Sequence, residues 1–387
     1  MTTSWSELWQ RYPDIWRMVL PSFLISFSFI GACYSWIQRV AKYPDSRWAK
    51  LPLLPGVRAR DVHTTAKPRI GGLAMWLTIV LMLAMVGLSG HTSEWLNFKD
   101  TVRYGNATAL GGLLAGMVVI FLFGLWDDLY SLKPVVQLTG QILAALCLVF
   151  GGIGVQYIRL PNGSPFFLDH LTISLPTWLG AGDVWLWSAL FTIVWVLLTI
   201  NVMNFFDGLD GLAGTIATTA AAMLFFVSMR GGFIATGTLA LILMGTVAGF
   251  IPWNWHPSKL FMGTIGSQLL GFLLAIIAII SGGKVATAVL VLGIPIFDAL
   301  VVIGRRLSAG ESAFKADQRH LHHRLLKAGL SVPAVVILLN AVGLIFGVLA
   351  VVTQDSTTKG YLTLLVAIFM LLFILLSYYL EQGKSNC

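Results

Sequence analysis

Charged residues are rare in this sequence. Asp, Glu, Lys and Arg make up 11% of its 387 residues, against roughly 25% in soluble domains. With a hydrophobic content of 57%, that shortage excludes a soluble enzyme of this size, a disordered chain and a coiled coil. Acidic residues are the rarer sign, 17 against 25 Lys and Arg, for a net charge of +8. No DNA- or RNA-binding pattern accompanies the basic excess, so nucleic acid is not an expected partner. Cysteine is nearly absent. Cys33 and Cys147 lie in apolar runs and Cys387 is the last residue, which leaves no disulfide framework and no zinc spacing.

Long apolar runs are what the chain has instead. A hydrocarbon core takes roughly 20 apolar residues per helix. That ruler predicts about eleven spans, centred near residues 30, 80, 116, 143, 194, 219, 241, 272, 294, 343 and 370. The expected fold is therefore an all-α polytopic membrane protein, one domain over residues 1–387. Val19–Val40 is too long for a signal-peptide core and lacks a small-residue cleavage site, so it reads as a retained span. Trp5, Trp9, Tyr12 and Trp16 ahead of it suggest an interfacial segment. Between the fourth and fifth spans, residues 155–160, a Pro161-Asn162-Gly163 turn and residues 166–175 predict a small extracytoplasmic β-hairpin.

Lys and Arg set the orientation. Lys42, Arg47, Lys50, Arg58, Arg60, Lys67 and Arg69 follow the first span, and Arg305, Arg306, Lys315, Arg319, Arg324 and Lys327 follow the ninth. Odd-numbered spans then end in the cytoplasm, with the N-terminus outside and the C-terminus inside. The same face collects the unusual polar groups. Asp127 and Asp128 end the third span, where a helix C-terminus disfavours anions by about 0.3–1 kcal/mol each. A cation or a phosphoryl substrate would relieve that repulsion, and two solvated charges would also account for it.

Asn201, Asn204 and Asp207 share a face of the fifth span at a spacing of three, and Asp210 follows in an Asp-Gly-Leu-Asp-Gly turn. Such oxygen-rich groups suit a hard cation or the hydroxyls of a nucleotide. Asp-Gly turns alone would explain the glycines but not two amides inside an apolar helix. Gly263, Thr264, Gly266 and Ser267 open the eighth span, where free N–H groups can hold phosphate oxygens or small residues can serve packing. His320, His322, His323 and Arg324 lie in the second basic loop. They read as a grip on a diphosphate or as a solvated basic loop; a zinc set lacks its remaining ligands.

In order along the chain stand Lys67-Pro68-Arg69-Ile70-Gly71-Gly72, Asp127-Asp128, the run from Asn201 to Gly211, Phe261-Met262-Gly263, Asp298, Lys315-Ala316-Asp317 and His320-x-His322-His323-Arg324. This ordered set, over residues 62–330, resembles the polyprenyl-phosphate N-acetylhexosamine-1-phosphate transferases, the glycosyltransferase family 4 membrane enzymes. The His-x-His-His form resembles the branch that loads N-acetylglucosamine 1-phosphate onto undecaprenyl phosphate. The resemblance implies eleven helices in a bacterial inner membrane and a cytoplasmic site. It implies UDP-N-acetylhexosamine and a polyprenyl phosphate as substrates, release of UMP, and a start to cell-envelope polysaccharide synthesis. It leaves a homodimer open. Asp127 would activate the lipid phosphate and Asp128 would orient it. Asn204, with Asp207, would ligate Mg²⁺ or alternatively Mn²⁺. Lys67, Asn201, Asp210, His320, His322, His323 and Arg324 would bind substrate.

One position departs from the family pattern. Where members carry Asp in Phe-Met-Gly-Asp-x-Gly-Ser, this chain has Thr264, a neutral hydroxyl in place of a cation-holding carboxylate. Three readings remain open here: an impaired paralogue or variant, an ion site rerouted to neighbouring acids, or an enzyme of reduced rate. An ion-coupled transporter is the rival from another class. It would place acids at mid-membrane and show inverted repeats, whereas the acids here gather at one face.

Overall fold

An apolar chain in a bilayer finds no water for its amide groups, so it spans as helices that satisfy their own backbone. The computed structural model describes residues 14–40, 67–89, 95–98, 106–160, 164–174, 183–281, 285–308, 310, 320–353 and 355–385. Trp5, Trp9 and Tyr12, the basic positions 42–60, the 161–163 turn, Lys315-Ala316-Asp317, Arg319 and Cys387 lie outside the described residues. Within them a 3₁₀ turn, Ile15–Met18, leads into α1 (Val19–Val40). It is followed by α2 (Gly71–Leu88), α3 (Asn106–Tyr130), α4 (Pro134–Phe150), α5 (Leu186–Phe206), α6 (Leu212–Arg230) and α7 (Ile234–Asn254). The remainder is α8 (Gly263–Ile280), α9 (Val285–Val291), α10 (Gly293–Ser308), α11 (Leu321–Lys327), α12 (Val332–Val352) and α13 (Ser356–Ser385).

The protein is an all-α, multi-pass membrane protein. Among the described residues, eight helices are long and apolar enough to cross a bilayer, or nine when α9 and α10 count as one bent span. The helix α4 and an apolar stretch of α13 are shorter. Each of the eleven expected centres falls inside an apolar helix. The span expected near residue 294 is broken by 83° between α9 and α10. Pro295 accounts for the break, because an unbroken helix would need its missing N–H to reach Val291.

The segment between α4 and α5 also differs from expectation. Tyr157–Arg159 (β1) pairs antiparallel with Pro165–Phe167 (β2), as the hairpin reading requires. Thr172–Ser174 (β3) does not prolong β2. It pairs instead with Asp183–Trp185 (β4) in a second two-stranded sheet. The polar Asp169-His170 step interrupts the alternation that a single long strand would need.

At the centre stands α8, buried along all of its length, with α2, α3, α5 and α7 packed around it. Indoles tie neighbouring helices by donating to backbone carbonyls, the buried Trp195 to Ala275 at 3.2 Å and the half-buried Trp76 to Met117 at 3.1 Å. Glycine sets the close approach of α8 to α5. A Cβ at Gly271 would meet the Ile200 backbone and lie 2.6 Å from the Thr199 carbonyl. A second backbone contact fixes the entry to α8: Phe261 N–H donates to the Pro68 carbonyl at 2.8 Å, and Gly72 N–H to Met262 at 2.8 Å. The Lys67–Gly72 motif is thereby bound to the segment that opens α8.

Gly271→Ala should push α8 from α5 and destabilise the protein by about 1–3 kcal/mol. A detergent thermal melt should fall by several degrees, while Gly111→Ala, whose Cβ would meet nothing within 4 Å, leaves it unchanged.

Candidate active site

The helix α3 ends in a polar turn, so Asp127 and Asp128 emerge where α3 meets the start of α8. Both are buried, at 0% and 5% exposure. Asp127 Oδ1 accepts from the Leu132 N–H and from the Gln137 amide, each at 2.7 Å. Its Oδ2 accepts from the Thr264 hydroxyl at 2.5 Å. Asp128 accepts two of the free N–H groups of α8, Thr264 N at 2.9 Å and Ile265 N at 3.2 Å. The N-terminal amides expected to hold phosphate thus hold Asp128, which suits the positive end of the helix.

The end of α5 carries the next group. Asn204 Oδ1 accepts from the Ser267 hydroxyl of α8 at 2.9 Å. One turn deeper, Asn201 donates to Gln141 of α4 at 2.6 Å and to the Leu197 carbonyl at 2.8 Å. Asn201 therefore sits in an interhelical amide pair, apart from the acidic residues. Asp207 follows the last turn of α5, half-buried. Gly211, at a φ of 81°, turns the chain into α6.

Asp210 faces elsewhere. Its Oδ2 accepts from Ser258 N at 3.1 Å and from His256 Nδ1 at 3.0 Å, and its Oδ1 from the Ser258 hydroxyl at 2.6 Å. Lys67 donates to Ser258 Oγ at 2.9 Å and lies 3.8 Å from Asp210. Lys67 and Asp210 are thus partners in one network at the mouth of α6 and α7, with Asp210 its buried member.

The basic motif folds as α11 against the α5 end. His320 Nδ1 donates to Asp298 Oδ2 at 2.8 Å, and Leu321 N–H to Asp298 Oδ1 at 2.9 Å. This leaves Nε2 as the histidine's outward nitrogen. The His320 ring lies 5.5 Å from that of Phe205, and His322 lies 5.4 Å from Phe206 and 4.3 Å from His323. Arg324 is buried one turn on. His322 is wholly buried, and among the described residues neither ring nitrogen has a hydrogen-bond partner. Burial first, then the neighbouring His323 and His320, hold its pKa well below the usual histidine value.

Residues 204–210 therefore touch every part of the site: α8 through Asn204, α11 through Phe205 and Phe206, and the Lys67 network through Asp210. Sequence reasoning missed Gln137, Gln141, His256 and Ser258. The first two were visible as glutamines four apart in an apolar helix. The His256-Pro257-Ser258 turn gave no signal.

A divalent cation fits this arrangement poorly. Thr264 adds no negative charge and directs its proton at Asp127, Asp128 faces helix amides, and the Asn204 oxygen already accepts from Ser267. Among the described residues no group of three His, Cys, Asp or Glu could hold a metal ion.

Residues 110–282 match the family model described as glycosyl transferase family 4. The chain is 33% identical over 309 residues, 73% of its length and 71% of the relative's, to the decaprenyl-phosphate N-acetylglucosaminephosphotransferase of Mycobacterium tuberculosis (strain ATCC 25618 / H37Rv). It is 28% identical over 322 residues, 81% of its length and 80% of the relative's, to a Bacillus subtilis (strain 168) protein named "Probable undecaprenyl-phosphate N-acetylglucosaminyl 1-phosphate transferase". The phospho-N-acetylmuramoyl-pentapeptide-transferase of Shouchella clausii (strain KSM-K16) is 30% identical over 294 residues, 73% of this chain and 82% of that protein.

Below a pH of about 6.5 the unfolded chain protonates His322 while the folded chain keeps it neutral. Protons therefore favour unfolding there, and stability from this group is complete above about pH 6.5 and lost as pH falls, by up to about 1.4 kcal/mol per unit. Detergent melts between about pH 5.5 and pH 7.5 should show a shallower acid slope for His322→Gln than for the parent.

Proposed function

The chain belongs to glycosyl transferase family 4, and we propose that it transfers N-acetylglucosamine 1-phosphate from UDP-N-acetylglucosamine to undecaprenyl or a related polyprenyl phosphate. UMP is released, and the lipid diphosphosugar starts a cell-envelope polysaccharide. The observation that carries this reading is the folding of the His320–Arg324 motif onto the end of α5 through His320 and His322, while Asn204 of α5 contacts the same helix as the Asp127–Asp128 pair. An anion grip and an acidic pair joined through one helix end suit a reaction between two phosphates.

The reaction forms one P–O bond, from a lipid phosphate oxygen to the sugar-bearing phosphorus, and breaks the P–O bond joining that phosphorus to UMP. UMP leaves with the electron pair. Both reactants are anions, so positioning and cationic groups supply most of the catalysis. His320, oriented through Asp298, and Arg324 meet the diphosphate; His322 and His323 line the same turn. When the lipid phosphate carries a proton, Asp127 receives it at Oδ2, exchanging the Thr264 hydroxyl for the phosphate O–H, one donor for another. Asp128 holds the α8 N-terminus beside it. Asn204 and Asp207, at the end of α5, would face the reacting centre, and Lys67 and Asp210 would brace the adjoining turn, with Asn201 holding α5 to α4 behind it. The Mg²⁺ or Mn²⁺ that the family resemblance implies does not fit the residues at the acidic pair, and no step above depends on it.

The concentration of Lys and Arg after α1 and α10 supports a cytoplasmic site in a bacterial inner membrane, the N-terminus outside and β1–β4 on the extracytoplasmic side. In this reading eleven crossings comprise the eight long helices, the bent α9–α10 pair, α4 and α13.

Purified protein given undecaprenyl phosphate and UDP-N-acetylglucosamine should release UMP. Arg324→Ala should lower kcat/KM by about 10–100-fold, the worth of one hydrogen bond to a charged group. Asp127→Asn should lower kcat by at least about 100-fold. Absence of UMP release from every UDP-N-acetylhexosamine tried would sink the proposal, and use of the muramoyl-pentapeptide nucleotide instead would move the chain to the other branch.

A further inference from the structure

We infer that the Thr264 hydroxyl takes the place of a divalent cation at the acidic pair, so that Asp127 and Asp128 are held by protein donors alone and bind Mg²⁺ or Mn²⁺ only weakly. Two adjacent carboxylates this deeply buried are costly unless something positive or hydrogen-donating faces them. Either an ion or a set of donors can do so, and the structure supplies the donors. Asp127 accepts from Leu132, Gln137 and Thr264. Asp128 receives the Thr264 and Ile265 amides at the positive end of α8.

The turn into α8 is shaped around that carboxylate. Gly263 has a φ of 70°, and a Cβ there would lie 2.6 Å from Asp128 Oδ2. Position 264 is the switch. A carboxylate in place of the hydroxyl would set a third negative group against Asp127 Oδ2 and remove a donor, an arrangement that only a cation or a proton could hold together. Mg²⁺ also requires several oxygens in near-octahedral geometry. Thr264 gives it one neutral oxygen whose proton is already directed at Asp127. The inference concerns the acidic pair by itself and stands apart from the choice of sugar nucleotide.

The test is Mn²⁺ binding to the purified full chain in detergent, without substrates, followed by electron paramagnetic resonance. The parent and Thr264→Ser should bind Mn²⁺ equally weakly. Thr264→Asp should bind at least about tenfold more tightly, and Asp127→Asn in that background should abolish the gain. Melting curves of the parent should be unmoved by millimolar Mn²⁺ or by a chelator, a reading that needs no variant to fold. A parent melting point that rises with Mn²⁺, or parent binding as tight as that of a folded Thr264→Asp, overturns the inference. So does a folded Thr264→Asp that binds no better than the parent. UMP release assayed in parallel reports on the transferase proposal separately, because ion binding is scored without turnover.

Discussion

A buried pair of carboxylates facing the N-terminus of the central helix is the constraint on which the site depends. Asp127 and Asp128 can lie inside the protein only because α8 begins there, with unsatisfied amides and a positive dipole end aimed at them. That requirement explains several features that look unrelated in the sequence. Gly263 must adopt a left-handed conformation so that the carboxylate can approach its Cα. The Pro68–Gly72 segment must lie against Phe261 and Met262 to hold the opening of α8 in place. Gln137 of α4 donates to Asp127 Oδ1.

From that fixed point, the end of α5 distributes the other groups. Three successive side chains do different work: Asn204 meets Ser267 of α8, Phe205 meets His320, and Phe206 meets His322. Two aromatic rings thus give α11 an apolar seat, against which His322 is wholly buried. Asp298 restrains His320 from below through a carboxylate shared with the Leu321 amide. A few rigid contacts at one helix end therefore set the relative positions of an acidic centre and a basic one. Such preorganisation is what phosphoryl transfer between two anions requires.

Much of this was legible in the sequence, and what was not has physical causes. Asn204 and the His320–Arg324 motif could be found because polar groups at helical spacing in or beside apolar helices carry a cost that calls for a partner. The partners themselves could not be found. Asn201 shared the spacing of Asn204, yet three residues fall about 60° short of a full helical turn, and from there Asn201 meets Gln141. Asp210 shared the Asp-Gly signature of Asp207, yet the left-handed turn at Gly211 and the Ser258 loop draw it to Lys67. The strand pattern after residue 166 was equally ambiguous, since a three-residue strand pairs with whichever edge the chain brings near.

Composition and hydropathy alone determined the class of protein, the places of the apolar helices and the gathering of polar motifs beside them, because burial in hydrocarbon leaves a one-dimensional trace. Residue identity alone also determined that position 264 carries no charge. Only the tertiary structure decided what that means. It brings a hydroxyl 136 residues along the chain from Asp128 to the adjacent Asp127, and turns the amides of α8 toward Asp128. The reason is that hydrogen bonds depend on direction and distance in space, which spacing along the chain does not encode.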